Sequence, residues 1–295
     1  MLRLALFALL AITPVMTINT PLLTWPDLTG RARPAPDATV SYGSDPYQKV
    51  DVWLPKGAGK HPVVLMVHGG CWQTSIADRT LMNWIAEDLR GRGIAVWNID
   101  YRGVDRPGGG YPGTFVDVGV ATDALAKHAD RYKLDTNRVV AVGHSAGGHL
   151  ALWLAGRAKL PKASPLRTAK PLKIAHVVSL GGLPDLEATA ASPDNGCGTD
   201  VVARLTGSKT ADHPDVFADT SIPRLLPIGV PQDLVNGEND RIIPMRLGTG
   251  YAEQATKAGD NVALHRIPAT GHVELIAPES AAWGKARSLI ETALQ

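Results

Sequence analysis

The sequence predicts an α/β fold: a mostly parallel central sheet with helices on both faces. Strand-like and helix-like segments alternate along most of the chain, the order expected when parallel strands are joined by helical crossovers. The runs His61 to Val67 and Ile94 to Ile99 are almost continuously apolar, as strands buried on both faces must be. A third run, Val139 to Val142, opens directly into Gly143-His144-Ser145-Ala146-Gly147 and a helix-forming stretch. Gly-x-Ser-x-Gly between strand and helix describes a nucleophile elbow, so tight that small residues must flank the serine.

The elements follow in order. Tyr47 to Leu54 alternates as a strand and stops at Pro55, and His61 to Val67 is the next strand. Arg79 to Arg90 spaces Leu81, Trp84, Ile85 and Leu89 as one helix face and closes at Gly91. The strand Ile94 to Ile99, a helix over Phe115 to Tyr132, the strand before the elbow and a helix reaching Gly156 come next. Ile174 to Leu180 reads as a strand broken at Gly181. The last strands are predicted at Ile228 to Asn236 and Val262 to Ile267. A helix over Arg246 to Lys257 separates them, and a closing helix spans Ser280 to Leu294. Leu183 to Pro227 has only short helical signals and is too long for an ordinary connection; it is predicted to be a cap or lid over the site.

The N-terminus follows other rules. Met1 to Arg3 carries one positive charge and Leu4 to Ile12 is continuously apolar, the layout of a secretory signal and short for a membrane span. No clean small-x-small cleavage site follows, because Pro14, Val15 and Met16 interrupt it. Residues 1–23 are therefore expected to be a signal peptide or an N-terminal anchor. Residues 24–39, with Pro26, Pro34 and Pro36, are expected to form a linker, and 40–295 the folded domain, with 183–227 as its cap. A periplasmic or secreted location follows, with no membrane association beyond such an anchor. The 295 residues are 44% hydrophobic and 20% charged, with a formal net charge of +2 and no basic run. That composition supplies a core for one large domain and excludes an electrostatic footprint for nucleic acid.

A serine hydroxyl is a poor nucleophile at neutral pH and needs a base, which in turn needs an orienting acid. In a sheet of this kind the chain order is serine, acid, histidine. His272 lies on the loop after the last strand, whereas His68 and His144 lie upstream in other motifs and His176 and His265 fall inside strands. Asp240 follows the strand ending at Val235 and is the best acid, with Glu238 and Asp233 as rivals. The strand ending in His68-Gly69-Gly70-Cys71-Trp72 lets backbone amides approach a reacting oxygen without a Cβ in the way. The amides of Gly70 and Cys71, with Gly69 as a rival, and that of Ala146 are the predicted oxyanion hole. His68 is expected to brace that loop and Trp72 to line the substrate pocket.

Gly108-Gly109-Gly110-Tyr111-Pro112-Gly113 matches a dinucleotide fingerprint literally, but it is separated from its strand and Pro112 removes an amide, so it is expected to be a flexible loop. No Cys or His spacing suggests a metal centre, and no cofactor is expected. The two cysteines, Cys71 and Cys197, both sit in glycine-rich loops of an apparently exported chain, and a disulfide between them is a hypothesis on that ground.

Together, His68-Gly69-Gly70-Cys71-Trp72, Asp100-Tyr101-Arg102, Gly143 to Ala151, Asp240 to Pro244 and Gly271-His272 resemble the α/β-hydrolase superfamily from about Tyr47 to the C-terminus. Within that superfamily the chain resembles the branch of small esterases and lipases that includes kynurenine-formamidase-like and BD-FAE-type enzymes. The resemblance implies an α/β-hydrolase fold, with Ser145 as nucleophile, His272 as general base and then acid, and Asp240 orienting it. The expected activity is hydrolysis of a small-molecule carboxylic ester through an acyl-enzyme. The alternatives are an arylformamidase or amidase on the same triad, and a non-catalytic hydrolase-fold binding protein.

Overall fold

The structure, a computed structural model, describes residues 21–295; nearly all of the leader-like segment lies outside the described residues. The strands are β1 (Ala38–Ser41), β2 (Lys49–Trp53), β3 (His61–Val67), β4 (Ala95–Ile99), β5 (Leu134–His144), β6 (His176–Leu180), β7 (Gln232–Gly237) and β8 (Val262–Ile267). They form one eight-stranded sheet in the order β1-β2-β4-β3-β5-β6-β7-β8. β1 and β2 run antiparallel at one edge, and every pairing from β4 to β8 is parallel. The carboxyl ends of β3, β5, β7 and β8 therefore share one rim, from which Gly70, Ser145, Asp240 and His272 all follow.

Among the described residues eight α-helices accompany the sheet: α1 (Trp25–Thr29), α2 (Asn83–Arg90), α3 (Gly113–Tyr132), α4 (Ala146–Gly156), α5 (Leu186–Ala190), α6 (Asp200–Thr206), α7 (Met245–Lys257) and α8 (Ala281–Ala293). Strand alternation sorts the core between the two faces. Val63, Leu65 and Val67 of β3 pack on one side with Phe115 and Leu125 of α3, Leu150 and Trp153 of α4 and Tyr251 of α7. Val64 and Met66 point the other way, to Ile85 and Leu89 of α2, Trp283 and Ile290 of α8 and Leu28 of α1. Burial on both faces is why these strands read as uninterrupted apolar runs.

Four expectations need correction. The stretch 24–39 is no linker: it holds α1 and the start of β1, and the indole N–H of Trp84 and the amide of Asn83 bind its Ala32 and Pro34 carbonyls at 3.1 and 3.0 Å. One of its prolines sits at the start of a helix rather than preventing one. Pro26 occupies the first turn of α1, where an amide hydrogen has no partner to lose. β7 begins at Gln232 instead of Ile228, because Pro227 and Pro231 lack amide donors and Gly229 adopts a positive φ. Residues 183–227 form no separate lid: Leu186, Val201, Val202, Leu205 and Ile222 are buried in the same core as α3 and α4. The glycine loop at 108–113 is pinned, with the Gly110 amide on Thr114 Oγ1 and that hydroxyl on the Arg102 carbonyl at 2.9 and 2.6 Å.

Trp283 shows how α8 is fixed: it is fully buried, and its indole N–H donates to Asp88 of α2 at 2.7 Å. Trp283→Ala is expected to destabilise the protein by about 3–5 kcal/mol, read as a lower urea midpoint at unchanged slope. A loss below about 1 kcal/mol would mean that the site collapses around the deletion instead of leaving a cavity.

Candidate active site

The strand-to-helix turn after β5 places Ser145 at φ 54° and ψ −122°, backbone strain of the order of 1–3 kcal/mol for a residue with a Cβ. The turn closes only because its flanks are bare. A Cβ on Gly143 would stand 1.9 Å from the Gly147 carbonyl oxygen, and one on Gly147 would stand 2.1 Å from that of Val67. Two backbone bonds hold the turn: Ser145 N–H donates to Leu180 O and Gly148 N–H to Ser145 O, both at 2.8 Å. Ser145 lines a cavity of about 330 Å³ together with His272 and His144.

His272 stands on the loop after β8 with its Nδ1 2.6 Å from Asp240 Oδ2, and both side chains are buried. The other Asp240 oxygen accepts the amides of Ile242 and Ile243 at 2.8 and 2.9 Å, so the carboxylate is fully engaged and cannot rotate away from the imidazole. With Nδ1 given to Asp240, Nε2 is the nitrogen left to serve the cavity. The loop is tied from behind by Glu274, which accepts the Gly271 amide at 3.0 Å and the Leu23 amide at 2.5 Å. Of the rival acids, Asp233 lies within β7 and bridges His176 and His265 at 2.7 and 2.6 Å. Its carboxylate is consumed by two strand histidines away from the cavity.

The loop after β3 is braced through His68, whose Nε2 lies 3.0 Å from Asp100 and whose ring stacks on Tyr101 at 4.4 Å. Asp100 in turn binds Arg79, and Arg79 reaches Asp51, each at 2.8 Å. Gly70, Cys71 and Trp72 all take positive φ values, 97°, 53° and 54°. Among the described residues no acceptor takes the amides of Gly70, Cys71 or Ala146. The same backbone geometry overturns the expectation for Trp72. Its side chain is fully buried away from the cavity, with the indole N–H 3.3 Å from His149 Nδ1. Cys71 is bridged to Cys197, 126 residues later, which fastens this loop to the 183–227 segment beside Gly196. That glycine is the segment's contribution to the cavity wall.

The remaining lining residues include Trp25, Thr29, Ile76, Ala77, Leu81 and Ile242, none of which sequence reasoning assigned to the site. Trp25 carried a signal: Thr24 and Asp27 form a reciprocal capping box at the start of α1, a pattern that marks a helix start inside a proline-rich stretch. The others sit on loops whose path no local pattern fixes.

Two buried histidines flank the centre. Burial, and then the nearby charge of His272, hold the His144 imidazole well below its ordinary value of 6.5; neutral, it donates Nε2–H to the His272 carbonyl at 3.1 Å. Burial also pushes His149 down to about 4, against the opposing bond from Nε2 to the Thr220 carbonyl at 2.8 Å. Both folded values lie below that of the unfolded chain, so the unfolded state takes up protons first as the pH falls. The stability that depends on these neutral imidazoles is lost as the pH falls through the unfolded value of 6.5, for His149 down to about 4. His149→Gln, which keeps a donor and an acceptor, is expected to remove a share of that acid loss on the order of 3 kcal/mol. Urea titrations of both proteins across this range check it, and parallel stability curves would refute it.

A family model described as BD-FAE matches residues 50–254. The chain belongs to the BD-FAE family. This BD-FAE chain is 30% identical over 240 residues to Esterase LipC of Mycobacterium tuberculosis, a match covering 79% of the chain and 58% of LipC. It therefore spans little more than half the length of that curated relative. It is also 30% identical over 114 residues to isoprenylcysteine alpha-carbonyl methylesterase ICME of Arabidopsis thaliana, covering 38% of the chain and 26% of that enzyme. Among solved structures, a bacterial heroin esterase superposes with a TM-score of 0.65 at 25% identity, covering 84% of this chain and 80% of that one. Esterase B from Lactobacillus Rhamnosis superposes with a TM-score of 0.73 at 18% identity, covering 89% and 87%. The architecture of the BD-FAE chain is the α/β-hydrolase fold.

Thiol titration of the unfolded, unreduced protein should find no free thiol, and Cys197→Ser should cost about 2–5 kcal/mol. Two titratable thiols per chain would refute the bridge.

Proposed function

We propose that this BD-FAE protein is a carboxylic ester hydrolase working through a serine acyl-enzyme. The observation that carries the reading is the convergence of Ser145 and His272 on one cavity, with the imidazole clamped at 2.6 Å by Asp240. Ser145 Oγ attacks the ester carbonyl as His272 Nε2 takes its proton; Asp240 holds the tautomer and stabilises the imidazolium. The oxyanion forms against the amides of Ala146 and of the Gly70–Cys71 turn. Among the described residues these amides have no acceptor to give up, and they need no reorientation at the moment of reaction. His272 then protonates the leaving alcohol, and water releases the acyl group by the same steps in reverse order.

The esterase names of the curated relatives support this chemistry. The Cys71–Cys197 bridge supports an exported location, periplasmic or secreted, because such bridges persist in oxidising compartments. Ser145→Ala is expected to abolish turnover of p-nitrophenyl butyrate together with fluorophosphonate labelling. Asp240→Asn should lower kcat by about 10⁴ with little change in KM. Undiminished labelling of Ser145→Ala would place the nucleophile elsewhere. Faster turnover of an aryl formamide than of the matching acetate would move the substrate class to formamides.

A further inference from the structure

One wall of the cavity beside Ser145 comes from α1, which lies outside the family match and precedes the sheet. The Trp25 indole stands edge-on to both imidazoles of the centre, 6.2 Å from His272 at 80° and 6.2 Å from His144 at 77°. This helix is fastened on three sides. Leu28 is fully buried beneath it, Leu23 N–H binds Glu274 on the His272 loop, and Arg31 forks onto Glu279 at 2.8 and 2.5 Å. The backbone of α1 therefore cannot leave the cavity wall without breaking a contact to the loop that carries His272.

The rest of the wall is equally apolar. Ile76, Ala77, Leu81 and Ile242 face the same space, and Ile76 stays 59% exposed at its edge. Among the described residues no Asp, Glu, Lys or Arg lines the cavity. A charged substrate group entering here would lose its water and gain no counter-ion, which an apolar wall does not offset. The volume of about 330 Å³ is at the small end for ligand pockets, which run from about 300 to 1,000 Å³. It must hold the reacting carbonyl as well.

Building on the ester-hydrolase reading, we infer that Trp25 limits the substrates to uncharged esters carrying one short or medium apolar chain, by closing the end of the cavity that receives that chain. Chain selection is thus set by the N-terminal helix and not by the 183–227 segment, which gives the cavity only Gly196.

The test uses the full chain and two ester series, p-nitrophenyl esters from acetate to decanoate and alkyl acetates from methyl to octyl. In one series the wild type should gain up to about fourfold in kcat/KM per buried methylene, then fall once the chain meets the indole. Trp25→Ala should move that optimum to longer chains and raise KM for the shorter ones, with kcat for the shorter ones held within about threefold. Trp25→Phe, which keeps a ring, should retain the wild-type optimum. Ile76→Trp narrows the cavity without touching α1 and should shift the optimum to shorter chains, which guards against misfolding of the Trp25 variants. The p-nitrophenyl hemisuccinate should react on the order of 100-fold more slowly than the butyrate. Unchanged optima in both series for Trp25→Ala and Ile76→Trp, with Ser145 still labelled by a fluorophosphonate, would overturn the inference while sparing the hydrolase reading. So would hemisuccinate turnover equal to that of the butyrate. Absence of Ser145 labelling in the wild type would overturn both.

Discussion

Two backbones meet at the Ser145 turn at a distance that leaves no room for a side chain. Helix α4 starts directly beneath the end of β3, so closely that Gly147 faces the Val67 carbonyl with no room for a methyl group. That approach fixes where α4 begins, and it forces Ser145 into a conformation a residue with a Cβ rarely adopts. The loop after β3 comes equally close to the turn, since a Cβ on Gly69 would stand 3.0 Å from the Ser145 Cβ. The cavity geometry is thus a consequence of sheet packing. The favourable burial of β3 and β5, neighbours in the middle of the sheet, holds the strain in place.

A second layer of constraint keeps the imidazole still. Asp240 spends one oxygen on two backbone amides and the other on His272, and Glu274 ties the loop behind it to the N-terminal segment. His144, neutral because it is buried, contributes a donor to the His272 carbonyl without bringing a competing charge. These contacts come from four separated stretches of chain and span 2.5 to 3.1 Å. Such a site tolerates little repositioning of its parts, which is the condition for charge stabilisation without reorganisation.

The position of Ser145, Asp240 and His272 at one rim of the sheet was legible because each was placed just past a predicted strand, although only the strand before Ser145 is a continuous apolar run. Their spacing along the chain is irrelevant to their meeting; the common direction of β5, β7 and β8 brings them together. Trp72 was not legible. Its neighbour Cys71 and Trp72 itself both have positive φ, and this turns the indole into the core, which residue type alone cannot reveal. Trp25 was missed for the opposite reason: proline content suggested a linker, and the capping box that marks α1 is a weak signal over five residues. The apolar residues at 183–227 gave no period to read because they are buried piecemeal, on short helices and turns, in a core built mainly by other elements. Asp233, weighed as a rival acid, falls inside β7, and only the structure shows that His176 and His265 on the neighbouring strands take up its carboxylate.

The bridge between Cys71 and Cys197 uses both cysteines the chain possesses. Oxidation of a single molecule therefore has just one internal outcome, with no wrong partner to sort through. Scrambled isomers, the usual hazard for secreted proteins with many thiols, cannot arise within one copy. The ring it closes takes in the centre of the sheet from β4 to β6, so a molecule that loses its shape stays covalently looped across its own middle and keeps its two halves within reach of each other.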